Sequence, residues 1–143
     1  MGFLKINKMN HLKGIITEIQ SHEGLSLVKV EGSHKCMFTS LVMDDAESAD
    51  WLRQGQKVNL HFKEIEVMIS KDPDAKVSTQ NRIPSKIKSI DAGAILCQLE
   101  LLFGETIITS IITTNACKQL NLQENDLVTA LIKTNEISVS PDD

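Results

Sequence analysis

The chain has 143 residues and a net charge of −4, and aromatic residues make up only 3% of it. A nucleic-acid-binding protein needs a basic surface to displace counterions from phosphate, and one that holds single strands also needs aromatic rings on which bases stack. The composition therefore argues against a nucleic-acid partner.

The cysteines and the amino-terminal segment favour a reducing compartment without a membrane partner. Cys36, Cys97 and Cys117 are odd in number and form no CxxC pair, so we expect buried thiols rather than disulfides or a zinc site. The first nine residues contain no apolar stretch of signal-peptide length, and no run approaches the roughly 18 apolar residues of a membrane span. We expect a soluble, cytoplasmic protein.

The first half of the chain combines short strand patterns with one predicted helix. Gly14, inside the first strand, suggests a bend or bulge. Carboxylates followed by apolar residues predict a helix at 44–52, with Asp44 or Asp45 as its N-cap. Alternating apolar residues predict strands at 11–19, 25–30, 35–42, 57–62 and 64–70.

A charged, proline-containing linker at 71–76 leads into a second half with the same order of elements. Asn10 corresponds to Asn81 at an offset of 71 residues, and Lys63 corresponds to Lys133 at an offset of 70. A short helix is predicted around 115–120. The strands of this half are predicted at 84–90, 95–102, 106–112, 127–133 and 136–140.

Five strands with one helix before the fourth is the order of a small OB-like barrel. We therefore predict an all-β protein with two tandem five-stranded OB-like barrels, at 8–70 and 78–140, each with one short helix. Units of about 70 residues bury only about 60% of their unfolded surface. A shared face between copies is the usual remedy, so we expect a homo-oligomer.

The sequence carries no recognisable enzyme signature. It lacks GxSxG, HExxH and glycine-rich phosphate-loop motifs. The four histidines lie at no metal-ligand spacing, and the carboxylates at 44–50 fit a capped, solvated helix better than a metal site. We expect no catalysis, no metal and no cofactor.

Short hydroxyl, amide and lysine side chains gather at the ends of the predicted strands. Neutral donors with one or two cations are what a tetrahedral dianion needs, although each hydroxyl could equally be an ordinary cap or strand residue. The candidate oxyanion ligands of the second half are Ser78, Thr79, Gln80, Asn81, Thr109, Ser110, Thr113, Lys133 and Thr134.

The same half resembles a known family. ITSIIT at 108–113, a short helix, and LNLQENDLVTALIK at 120–133 resemble the Mop molybdate-binding domain of the TOBE class, whose usual pattern is close to ITxxIT, a helix and LxLxxGDxVxALIKxxEV. Asn125 replaces the family's glycine, and Gln80 stands where arginine is usual. Two such units without further domains resemble a molbindin.

The resemblance implies intracellular binding of molybdate or tungstate for storage, with the oxyanions held between units of a homo-oligomer that is a trimer in that family. An alternative is a ligand-sensing module of a molybdate-responsive regulator that acts through a protein partner. The first half matches the family more loosely and offers weaker candidate ligands, which are Asn10, Thr39, Ser40 and Lys63.

Several departures from the family pattern put the first-half sites in doubt. Asn7 and Met9 stand where the family has serine and arginine, and Ala116 replaces a serine in the second half. Glu64 places a carboxylate beside Lys63, and a carboxylate next to a poorly solvated dianion is unfavourable.

Overall fold

The computed structural model describes residues 8–142, so Asn7 lies outside the described residues. These residues form one α-helix, α1 (Thr114–Gln119), and 3₁₀ turns at Ser33–Lys35, Glu64–Glu66 and Thr134–Glu136. None of these helical segments has the length and apolar character needed to cross a membrane. The ten strands are β1 (Met9–His22), β2 (Leu25–Gly32), β3 (Met37–Val42), β4 (Lys57–Lys63), β5 (Met68–Ser70), β6 (Asn81–Ala92), β7 (Leu96–Phe103), β8 (Thr106–Thr113), β9 (Leu127–Ile132) and β10 (Ser138–Pro141).

Within the described residues, the strands form two five-stranded antiparallel sheets that exchange their closing strands. One sheet has the order β10-β4-β1-β2-β3, and the other has the order β5-β9-β6-β7-β8. The predicted units 8–70 and 78–140 thus each supply four strands to one sheet and the fifth strand to the other. Because β10 approaches β3 and β5 approaches β8, each sheet curls towards a barrel. The predicted OB-like all-β fold is confirmed.

Buried apolar side chains of both halves belong to one hydrophobic cluster. In β4 the pattern alternates, so that Val58, Leu60 and Phe62 are buried while their neighbours are half-buried or exposed. β9 is buried along almost its whole length, which explains its continuous apolar sequence. The two barrels therefore share a core.

The first strand of each half contains a β-bulge. In the first half it lies about three residues after Gly14, where a bend or bulge was predicted. The β1–β2 register shifts between Ile16 and Glu18, and the β6–β7 register shifts between Ile87 and Ser89. This bulge explains why strict alternation breaks at Ile15 and Ile16. Gly14 itself lies in regular pairing opposite Gly32.

The predicted helix at 44–52 is wrong, since the segment forms a series of turns. Asp45 does cap the first turn, and hydrogen bonds from Ser48 hold the pKa of the Asp45 carboxyl below its usual value. Further along, the Arg53 guanidinium donates to the carbonyls of Ala46 and Leu52. These carbonyls thereby gain partners without a continuous helix, so only the second half contains an α-helix among the described residues.

The three cysteines are free thiols. Cys97 and Cys117 are buried, whereas Cys36 is half-buried. Burial raises the pKa of Cys97 to about 12, with the adjacent Cys117 thiol adding to the shift. A thiol with such a pKa stays protonated at neutral pH and is unreactive.

Candidate functional site

The strand exchange carries the end of each half onto the other half. The 3₁₀ turn Glu64–Glu66 packs against β8, and the turn Thr134–Glu136 packs against β3. Two corners with the same architecture result. The first corner contains Asn10, Lys63, Glu64, Thr109 and Ser110, and the second corner contains Asn81, Lys133, Thr134, Thr39 and Ser40.

A buried asparagine joins the two halves in each corner. In the second corner, Asn81 Nδ2 donates to the Thr39 carbonyl at 2.9 Å, and the Thr39 amide donates to Asn81 Oδ1 at 2.7 Å. In the first corner, Asn10 Nδ2 donates to the Thr109 carbonyl and the Thr109 amide donates to Asn10 Oδ1, both at 2.9 Å. Each asparagine side chain thus makes, with the backbone amide and carbonyl of one threonine in the other half, the two hydrogen bonds that a neighbouring strand could make.

The serine beside each of these threonines fastens the exchanged chain. Ser110 Oγ donates to the Val67 carbonyl at 2.8 Å, just before β5. Ser40 Oγ donates to the Ile137 carbonyl, just before β10. Both serines are buried, so these hydroxyls hold the two halves together.

The second corner carries the larger set of neutral donors. The Thr39 hydroxyl lies 3.4 Å from Gln80 Oε1, and the Thr79 hydroxyl donates to the Ile132 carbonyl at 2.6 Å. Lys133 is exposed beside the half-buried Thr134. Ser78 is exposed just before this group. Eight of the nine second-half candidates therefore divide unequally between the corners. Six lie here with Thr39 and Ser40, namely Ser78, Thr79, Gln80, Asn81, Lys133 and Thr134, whereas Thr109 and Ser110 lie in the first corner.

The first corner differs by a buried carboxylate. Glu64 is only 7% exposed, and its amide donates to the Lys8 carbonyl at 3.1 Å. Burial raises the pKa of Glu64, while the Lys8 ammonium and a hydrogen bond with the Thr109 hydroxyl act in the opposite direction. Among the described residues, the corresponding Thr134 amide makes no such bond to Thr79.

Thr113 lies apart from both corners. Its hydroxyl accepts a hydrogen bond from the Ala116 amide at 3.0 Å and thereby caps α1. It stands four residues beyond Thr109 on β8, which corresponds to roughly 13 Å along a strand. Thr113 therefore has a structural role that its sequence position at the start of a helix indicates.

Two of the four histidines meet on the outer face of the first sheet. The Nδ1 atoms of His11 and His61 lie 2.7 Å apart, and His61 Nε2 lies 3.0 Å from Ser140 Oγ. Burial and the neighbouring His11 lower the pKa of His61. Within residues 8–142, no three His, Cys, Asp or Glu side chains are grouped to hold a metal ion.

Sequence reasoning missed the bridging role of Asn10 and Asn81. The signal was present, because each asparagine recurs at the same place in both halves, as do the Thr-Ser pairs that they contact or adjoin. The missing information was that each asparagine faces the threonine of the other half, which follows only from the strand exchange.

The chain is similar to a domain family and to two solved structures. Residues 77–139 match the TOBE domain. The cytoplasmic molybdate-binding protein ModG, solved with molybdate bound, is 25% identical with a TM-score of 0.84, over 92% of this chain and 94% of that chain. A molybdate-binding protein from Sporomusa ovata is 29% identical with a TM-score of 0.40, over 41% of this chain and 88% of that one. No curated protein matches the chain by sequence.

The fold and the paired corners define a protein of two OB-like barrels that share a core and exchange strands. The second half is a TOBE domain, and the first half repeats its architecture. The predicted resemblance to the Mop/TOBE domains is therefore confirmed, by the TOBE match over residues 77–139 and by the structural similarity to ModG over 92% of the chain.

Proposed function

We propose that the protein binds molybdate or tungstate in the cytoplasm, without catalysis, and that it serves to store the oxyanion. The observation that carries the proposal is the second corner, where Lys133 and Thr134 of one half meet β3 of the other. The similarity to ModG over nearly the whole chain supports molybdate as the ligand.

The chemistry of the second corner suits a tetrahedral dianion. Lys133 supplies one cation, and the hydroxyls of Thr39 and Thr134 with the Thr134 amide supply neutral donors. The Asn81 bridge and the Ser40 hydrogen bond hold these groups in place before any ligand arrives. Donors that are already ordered bind more tightly because less conformational entropy is lost.

An interface between subunits is part of the proposal. Several large apolar side chains are exposed on the strands and loops, among them Leu127 at 78% and Ile95 at 76%. Leu127 lines a groove with Pro73, Pro84 and Leu102, and apolar surface of this kind is a common sign of association. A homo-oligomer, a trimer by resemblance to molbindins, would cover such surface and bring corners of different subunits together.

The test is calorimetric titration with molybdate and with tungstate. Lys133→Ala should weaken binding about 10- to 100-fold, because a hydrogen bond to a charged group contributes about 1.5–3 kcal/mol. Lys118→Ala, on the exposed face of α1, is the matched control and should bind as the wild type does. Absence of both heat and thermal stabilisation with either oxyanion would contradict the proposal.

Native mass spectrometry with and without molybdate tests the assembly. Storage predicts a homo-oligomer that carries several oxyanions and has no other protein attached. A co-purifying protein whose affinity changes with molybdate would instead favour the ligand-sensing role.

A further inference from the structure

The two corners can be compared residue by residue because their frameworks coincide. Each has an asparagine bridge with two hydrogen bonds and a serine tied to the exchanged chain. The lysines that precede the 3₁₀ turns also share a backbone conformation, with φ −67° and ψ 143° at Lys63 and φ −65° and ψ 143° at Lys133. The side chains that follow these lysines can therefore be compared directly.

The side chain that changes the charge of the corner is at the first position of the turn. Glu64 occupies it in the first corner and Thr134 occupies it in the second. Glutamate is rarely buried unless it has a partner, yet Glu64 is only 7% exposed. Its turn packs against β8, which carries Thr109, and its amide donates to the Lys8 carbonyl; the Lys8 ammonium and the Thr109 hydroxyl are the cation and the neutral donor that favour its ionised form.

Those partners are of the types that the second corner offers to an oxyanion. Thr109 corresponds to Thr39 in the repeat, and both carry a hydroxyl beside the asparagine bridge. The Glu64 amide is also occupied, since it donates to the Lys8 carbonyl, whereas the Thr134 amide makes no equivalent bond among the described residues. The first corner thus already holds a carboxylate of the chain itself, close to the Thr109 hydroxyl and the Lys8 ammonium.

We propose that the Glu64 carboxylate is a built-in anion that fills the first corner, so that only the second corner of each chain accepts an external oxyanion. The inference rests on the proposed function. It implies that a protein with two repeats has one competent oxyanion corner per chain. A dianion approaching the first corner would meet a carboxylate at close range in a poorly solvated position, where like charges repel strongly.

The experiment exchanges the two residues. Glu64→Thr copies the second corner into the first, and should double the number of molybdate ions bound per chain at saturation. The new sites should be weaker than the original ones, because Met9 offers no polar group where Gln80 stands. Thr134→Glu copies the first corner into the second, and should lower affinity at least about 100-fold. Glu66→Gln, in the same turn as Glu64, is the matched control and should leave the stoichiometry unchanged.

Bound molybdenum is counted by elemental analysis after equilibrium dialysis, with folding checked by circular dichroism. The inference would be overturned if folded Glu64→Thr bound the same number of molybdate ions as the wild type, or if folded Thr134→Glu bound molybdate with wild-type affinity. Either result would leave the proposed function intact. If wild-type protein binds neither molybdate nor tungstate, the proposed function fails. The inference, which requires a competent second corner, is then overturned as well.

Discussion

Replacing Asn81 with alanine should destabilise the protein more than any other alanine substitution in the two corners. The Asn81 side chain is completely buried and makes two hydrogen bonds to the backbone of Thr39, at 2.7 and 2.9 Å. Each bond contributes about 1 kcal/mol net, and leaving the two Thr39 backbone groups without partners adds about 1–3 kcal/mol. We expect Asn81→Ala to lower the free energy of unfolding by about 3–5 kcal/mol.

Urea unfolding followed by circular dichroism measures this loss, with every variant at the same protein concentration because association contributes to apparent stability. Asn10→Ala is the matched comparison. Its partner Thr109 is half-buried, so water can replace part of what is lost, and we expect a cost of about 1–2 kcal/mol. A loss below about 1 kcal/mol in Asn81→Ala, or an equal loss in Asn10→Ala, would refute the reasoning.

Asn81→Asp separates hydrogen bonding from side-chain volume. The aspartate keeps an acceptor for the Thr39 amide, but it turns a second oxygen towards the Thr39 carbonyl in place of the amide donor. We expect it to be at least as destabilising as Asn81→Ala at neutral pH. Acidification should recover part of the loss, because a protonated carboxyl can donate.

Two further predictions concern Glu64 and Gly14. Burial raises the pKa of the Glu64 carboxyl above its usual 4.5, so the unfolded chain ionises first as pH rises, and the stability of wild type relative to Glu64→Gln should fall from pH 4.5 through the folded-state pKa and then level off. Urea unfolding of both proteins between about pH 4 and about pH 8 measures this difference in stability. A difference that stays constant or rises with pH would contradict the prediction. Gly14→Ala should lower the free energy of unfolding by about 1–3 kcal/mol, because the new Cβ would clash with Val30 Cγ1 and would lie 2.8 Å from the Glu31 carbonyl oxygen, in a regular part of the β1–β2 ladder. Thermal unfolding measures this loss, and an unchanged midpoint would show that the two strands can move apart at this position without a loss of stability.

The order of strands and the repeat were predictable from the sequence because they depend on local patterns. Alternation along β4, the turn residues between strands and the recurrence of Asn10 as Asn81 are visible without a structure. The exchange of β5 and β10 was not predictable. A strand's apolar pattern specifies which face is buried, but it does not identify the strand that will pair with its edge.

The candidate site was predictable in its chemistry but not in its grouping. The hydroxyls, amides and lysines are at strand ends as expected, yet each corner draws on both halves of the chain. The helix predicted at 44–52 failed for a related reason. Two of its carbonyls, those of Ala46 and Leu52, accept hydrogen bonds from the Arg53 side chain. Helix propensity does not predict such a side-chain partner.

The exchanged strands also determine the order in which the protein can be completed during synthesis. β4 can pair with β1 once the first half has emerged, but its other edge has no partner until β10, the last strand among the described residues, has been made. An open edge is a template for pairing with another chain. A ribosome that stalls within the second half therefore leaves a nascent first barrel whose exposed edge invites aggregation or pairing with a neighbouring copy.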